Sequence, residues 1–117
     1  MVPKERVKVI KAGLELVPKM GGTAWPFFTF PISTAGKTGT AEYGDEKNRT
    51  HAWYTSYAPS NNPKIALTVL VEGGGEGSNI AAPVAKEIFR WYFSEDKNNL
   101  IKDNYSQATD SGRSLGE

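Results

Sequence analysis

Residues 64–72, Lys64-Ile65-Ala66-Leu67-Thr68-Val69-Leu70-Val71-Glu72, constrain the fold more than any other stretch of the chain. Ile65, Leu67, Val69 and Val71 share one face at period two, and Ala66, Thr68 and Leu70 share the other. Apolar residues on both sides predict a strand covered on both faces. The turn Pro59-Ser60-Asn61-Asn62-Pro63 separates it from 51–58, where small and large residues alternate. That turn is too short for a crossover helix, so the two strands run antiparallel. A polar loop, Gly44-Asp45-Glu46-Lys47-Asn48-Arg49-Thr50, joins 51–58 to β-compatible sequence near 33–43. The expectation is an antiparallel meander of at least three strands.

Helical periodicity brackets these strands. Val7, Ile10, Leu14 and Val17 recur at helical spacing from Pro3 to about Val17, which predicts a core-packing helix. Pro3 suits its first turn, and Pro18 and Gly21-Gly22 stop it. A second helix is expected over about 80–93, with Ile80, Val84, Ile88 and Trp91 as its apolar stripe and Pro83 in the tolerated first turn. Between the first helix and the strands, Trp25-Pro26-Phe27-Phe28-Thr29-Phe30-Pro31 reads as a connector whose aromatics pack on the core, because its prolines prevent a regular central strand. The class is therefore α+β: an antiparallel sheet with the N- and C-terminal helices packed on one face. Residues 1–93 form the folded portion, and 94–117 a polar, loosely attached tail.

Composition narrows the function. A formal net charge of +1 argues against a nucleic-acid partner bound through its phosphates. One histidine and no cysteine argue against a metal site or thiolate chemistry, and no cofactor is implied. No apolar run reaches the length of about 18 residues expected of a membrane span. The charged start Met1-Val2-Pro3-Lys4-Glu5-Arg6 does not read as a signal peptide. The run Gly73-Gly74-Gly75-Glu76-Gly77 between a strand and a helix lacks the G-x-G-x-x-G spacing of a dinucleotide loop. It reads as a turn with Ser78 or Asn79 as helix N-cap.

Chemistry concentrates in Ala35-Gly36-Lys37-Thr38-Gly39-Thr40-Ala41-Glu42. Alternation puts Lys37 and Gly39 on one side of the strand and Thr38 and Thr40 on the other. Gly39 lets another backbone or a substrate approach closely. A cation and hydroxyls beside a strand edge suit an incoming carboxylate and a developing oxyanion. Gly36-Lys37-Thr38 also matches the end of a P-loop, but Pro31 stands where the opening glycine is required, and the residues that follow make a poor helix. The competing match is the K-T-G box of serine acyltransferases that act on penicillin. A plain strand with a surface lysine is the third reading, and the flanks decide among them.

Those flanks are Gly22-Thr23-Ala24, then Ala35 to Glu42, then His51-Ala52-Trp53-Tyr54, Tyr57-Ala58-Pro59, residues 65–72 and Ala82-Pro83-Val84-Ala85, in that order. Together they resemble the C-terminal part of a penicillin-binding protein transpeptidase domain, most like the class B type, over roughly residues 3 to 93. The resemblance implies the penicillin-binding protein and serine β-lactamase fold. It also implies a mechanism in which a serine of an S-x-x-K box attacks a D-Ala-D-Ala bond and a neighbouring amine resolves the acyl-enzyme. By the same resemblance Lys37 and Thr40 are catalytic. Lys37 sets the electrostatics around the serine, and the Thr40 backbone N–H forms half of an oxyanion hole. Thr38, Gly39 and Thr40 would bind substrate, with the two hydroxyls on its carboxylate.

One departure matters. Neither an S-x-x-K nor an S-x-N box lies among the 36 residues before Lys37. Ser94-Glu95-Asp96-Lys97 fits the first pattern after the last helix, where two acids would oppose an alkoxide. Ser60-Asn61-Asn62 fits the second but sits in a turn, and His51 reads as a strand-start residue rather than a base. The chain thus resembles a transpeptidase fragment, inactive alone, whose partners are the missing N-terminal part of its domain, peptidoglycan stem peptides and β-lactams. The resemblance places the intact protein at the extracytoplasmic face of the bacterial membrane. A fragment of a β-lactamase or β-lactam sensor, or a non-catalytic binding module, are the alternatives.

Overall fold

The computed structural model describes residues 1–44 and 46–94. They fall into two units, Met1–Glu87 and a second that begins at Ile88. In the first unit, helix α1 (Lys4–Leu16) is followed by a 3-10 turn at Trp25–Phe27, and then by strands β1 (Ala35–Glu42), β2 (Thr50–Ala58) and β3 (Ile65–Val71). A wide π turn, Gly77–Ala81, leads into helix α2 (Ala82–Phe93), inside which the division between units falls. Of the expected tail 94–117, all but Ser94 lies outside the described residues.

The strands form one sheet in the order β1-β2-β3, both pairs antiparallel, so the expected α+β meander is the observed architecture. Opposed residues in such a ladder share a face. One face carries Gly36, Thr38 and Thr40 of β1, then Ala52, Tyr54, Ser56 and Ala58, then Ile65, Leu67, Val69 and Val71. This is the core face: Ala52, Tyr54, Ser56 and Ala58 are buried, and Phe27 packs on Tyr54 with ring centroids 5.5 Å apart. The other face carries Ala35, Lys37, Gly39 and Ala41, then His51, Trp53, Thr55 and Tyr57, then Ala66, Thr68 and Leu70, and it is covered at the end where Ala35 is fully buried and Tyr57 half-buried. Lys37, Trp53, Thr55, Ala66, Thr68 and Leu70 are all exposed there. The expectation that β3 is covered on both faces is therefore corrected. Period two assigns residues to faces, but whether a face is covered depends on what else lies against it.

The helices bring two further corrections. Val7 and Ile10, expected in the core, are 41% and 55% exposed, and no residue of α1 is buried. The helix touches β1, and just past its end the Ala24 N–H donates to the Val17 carbonyl at 2.9 Å. On the last helix, Ile80 and Val84 are 40% and 44% exposed, while Gly77, Ala81, Ala82 and Ala85 are buried. Small residues allow the chain to lie close against a sheet, and the turn 77–81 touches all three strands. The buried positions are thus small residues up to Ala85, and further along α2 Phe89 is fully buried as well. The expected cap at Ser78 or Asn79 is also displaced. The turn starts at Gly77, no side chain caps it, and the Asn79 and Ile80 N–H groups donate to the Glu76 carbonyl. Of the connector aromatics, Phe27 is buried, whereas Trp25 and Phe28 are exposed.

In the second unit Phe89 and Phe93 lie 6.2 Å apart between ring centroids, and Tyr92 meets Phe93 edge-on at 5.0 Å. The Ser94 hydroxyl closes the helix by donating to the Trp91 carbonyl at 2.8 Å.

Tyr54 provides a test of the core face. Burial pushes its phenol up to about 12, and the neighbouring Ser56 hydroxyl offsets part of that rise. The pair does not meet hydrogen-bond geometry, however, and both oxygens are buried without a partner. An unfolded tyrosine ionises near pH 10. Stability from the neutral phenol is thus fully present below about pH 10 and lost as the pH rises towards 12, an effect of about 2–3 kcal/mol. In urea unfolding, Tyr54→Phe is expected to match the wild type at pH 8, because it removes an unsatisfied oxygen. It is then expected to be the more stable of the two above pH 11. A variant weaker by more than about 1 kcal/mol at pH 8 would mean that the phenol has a partner after all.

Candidate active-site strand

Among the described residues strand β1 has a neighbouring strand on one side only, so alternate backbone amides along it face an edge without a strand. Its register sets Lys37 opposite Thr55, Thr38 opposite Tyr54, Gly39 opposite Trp53 and Thr40 opposite Ala52. The alternation expected from sequence is therefore the alternation observed.

Lys37 is exposed on the open face and folds along its own strand, where Nζ donates to the Thr38 carbonyl at 2.6 Å. Beyond Lys37 on that face the Thr55 and Thr68 hydroxyls are hydrogen-bonded at 3.0 Å. Thr38 is half-buried and its hydroxyl is engaged, donating to Thr23 Oγ1 at 2.9 Å. Thr40, two residues further along, is exposed. Gly39 is held by its neighbours. A methyl at Gly77 would come within 2.6 Å of its carbonyl oxygen and 3.0 Å of its nitrogen. At the side-chain position of Gly39 itself, among the described residues only the Trp53 side chain lies close, 3.2 Å from where a methyl would stand.

The remaining candidates separate from this strand. His51 stacks on Tyr43 with centroids 4.2 Å apart, and its Nδ1 accepts from the Gly73 N–H at 3.1 Å. The Arg49 guanidinium lies 5.2 Å from the Tyr43 ring. This is a structural cluster at the end of the β1–β2 hairpin. Ser60 is buried, and its N–H donates at 2.9 Å to the carbonyl of Ser33, in the stretch before β1. The Ser94–Lys97 pattern runs past the described residues. No group of three metal-ligating side chains occurs among the described residues. Two open cavities of about 470 and 490 Å³ lie beside Phe27 and Phe30 and beside Trp25 and Pro83, and neither includes residues 37–40.

A cation, two hydroxyls and edge amides gathered on one strand can bind an anion and stabilise developing negative charge. Among residues 35–42 there is no nucleophile paired with a base. The residue that sequence reasoning passed over is Thr23. Its place in the Gly22-Thr23-Ala24 stretch was visible, but its contact across fifteen residues was not.

Comparison with known proteins bears on this strand and its surroundings. Residues 1–90 match the family model described as the penicillin binding protein transpeptidase domain. Peptidoglycan D,D-transpeptidase MrdA of Haemophilus influenzae is 40% identical over 83 residues, covering 60% of this chain and 13% of that protein. Among solved structures, Pseudomonas aeruginosa PBP2 aligns over 81% of this chain and 21% of its own, at 35% identity and a TM-score of 0.69. Penicillin-binding protein A from M. tuberculosis, solved as an imipenem acyl-enzyme complex, aligns over 74% of this chain and 18% of its own, at 34% identity and a TM-score of 0.53. The chain therefore spans only about a fifth or less of the length of these three proteins. With the family model matched over most of its length and the same sheet found in the solved relatives, the chain belongs to the penicillin-binding protein transpeptidase domain family.

Proposed function

We propose that this chain is the part of a peptidoglycan D,D-transpeptidase domain that carries its K-T-G strand, Lys37-Thr38-Gly39, and that it serves a nucleophile located elsewhere in that domain. The observation that carries this reading is the exposed Lys37 side chain on an edge strand that also bears Thr38 and Thr40. Lys37 and the two threonines lie on opposite faces of β1, so a shared site uses the edge of that strand as well as the face that bears Lys37.

In the proposed reaction a serine Oγ from an S-x-x-K box attacks the carbonyl carbon of the D-Ala-D-Ala bond. The C–N bond breaks, the terminal D-Ala leaves with a proton on its nitrogen, and an ester to the serine remains. The amine of a second stem peptide then attacks that ester, loses a proton, and returns the serine as the cross-link forms. Lys37 stabilises negative charge near the serine, the Thr40 backbone N–H receives the oxyanion, and the Thr38 and Thr40 hydroxyls hold the substrate carboxylate, with Gly39 leaving room for the chain. A β-lactam enters as the donor does, its ring amide opening onto the serine. The substrate class places this work at the extracytoplasmic face of the bacterial membrane. No helix among the described residues is long and apolar enough to cross one. A β-lactamase or sensor would use a similar strand, but the D,D-transpeptidase identity of the relative favours the first reading.

By itself the chain is expected to form no covalent adduct with a labelled penicillin, because among the described residues no serine is paired with an activating lysine. Intact-mass measurement checks this. A stoichiometric adduct on Ser60 or Ser94 would overturn the proposed division of labour.

A further inference from the structure

Thr23 reaches the candidate strand from a turn that is firmly held. A side chain at Gly22 would strike the carbonyl oxygens of Val17 and Leu16, so the backbone there lies directly on the end of α1. The next residue but one, Ala24, is fully buried and donates its N–H to the Val17 carbonyl at 2.9 Å. Thr23 lies between these two fixed points, and its hydroxyl meets that of Thr38 at 2.9 Å.

The direction of this bond carries the argument. A threonine hydroxyl has one proton and two lone pairs. With its proton on Thr23, the Thr38 hydroxyl can only accept further bonds, whereas a carboxylate requires it to donate. Only a partner able both to accept and to donate lets Thr38 turn its proton outward and remain hydrogen-bonded. Once Thr23 donates to Thr38, the chain of hydroxyls polarises in one direction and strengthens the outward donor. We infer that Thr23 is a positioning residue, which satisfies the Thr38 hydroxyl in the empty site and reverses its bond to aim the Thr38 proton at the carboxylate of a stem peptide or β-lactam. This rests on the carboxylate-binding role proposed above for Thr38.

The test uses the complete transpeptidase domain carrying this chain. The measured quantity is the second-order acylation rate for a penicillin with a free carboxylate and for its methyl ester, each relative to wild type. Thr23→Val is expected to slow the free acid about five- to tenfold more than the ester, the scale of one hydrogen bond. Thr23→Ser keeps the hydroxyl and is expected to restore the rate to within about twofold. The double variant Thr23→Val with Thr38→Val is expected to match Thr38→Val alone, because the two act as a unit. Thr23→Ala supplies the same comparison should the valine variant not fold. A carboxylate-selective loss in Thr38→Val without one in either Thr23 variant overturns the positioning role alone. No selective loss in Thr38→Val overturns the reading of the site on which that role rests.

Discussion

Lys37→Ala, made in the complete transpeptidase domain, is expected to slow acylation by penicillin by a factor of about 10²–10³, the usual result of losing one contact of about 2.7–4 kcal/mol to developing charge. The ammonium is exposed on the open sheet face and touches only its own strand's Thr38 carbonyl among the described contacts. It therefore supports little of the fold, and its removal should leave the domain's thermal midpoint nearly unchanged. Thr40→Ala is expected to cost less, since the backbone N–H survives. A lost hydroxyl bond to a charged partner is worth about 1.5–3 kcal/mol. The Thr40 defect should be larger for compounds with a free carboxylate than for their esters, whereas the Lys37 defect should persist in both. Acylation of Lys37→Ala within about threefold of wild type, a gap under about 1 kcal/mol, would make this lysine an ordinary strand residue and end the K-T-G assignment.

Gly77→Ala is expected to destabilise the chain by about 3 kcal/mol, the upper end of what an extra methyl in a packed site costs. The added carbon would meet the Trp53 carbonyl oxygen, the Gly39 carbonyl oxygen at 2.6 Å and the Gly39 nitrogen at 3.0 Å. All three are backbone atoms of paired strands, which cannot rotate aside as a side chain can, so either the turn lifts or the ladder shifts. Gly13→Ala is the contrasting control. It lies inside α1 with nothing within 4 Å of the new carbon, and is expected to stabilise by about 0.5–1 kcal/mol through helix propensity. Urea midpoints of the two variants check both. A Gly77→Ala midpoint within about 0.5 kcal/mol of wild type, the ordinary scatter of surface changes, would mean that the turn is not seated on the sheet.

The two expected results depend on different kinds of information. That Lys37, Thr38 and Thr40 occupy one strand, with Lys37 on the side away from the threonines, follows from the order of residues alone. Extended backbone turns each successive side chain over, whatever lies around it. For the same reason the three strands were legible to within about two residues, their antiparallel order followed from short connections, and the family resemblance followed from several motifs in sequence order. Burial was less legible. The stripe Val7-Ile10-Leu14-Val17 has the spacing of a core helix, yet Val7 and Ile10 are exposed and Leu14 and Val17 only half-buried, because amphipathicity declares a need for a partner without supplying one. What meets the sheet is the turn 77–81, where Gly77 and Ala81 are buried, since the smallest side chains allow the closest approach to a sheet. The Thr23–Thr38 bond joins residues fifteen apart, and no periodicity connects them. Local dihedral preference was sufficient to place the chemistry on a strand. Which side chains of a face are exposed, which glycine seats the turn 77–81 on the sheet and which hydroxyl Thr38 faces were decided only when segments distant in the chain came together in space.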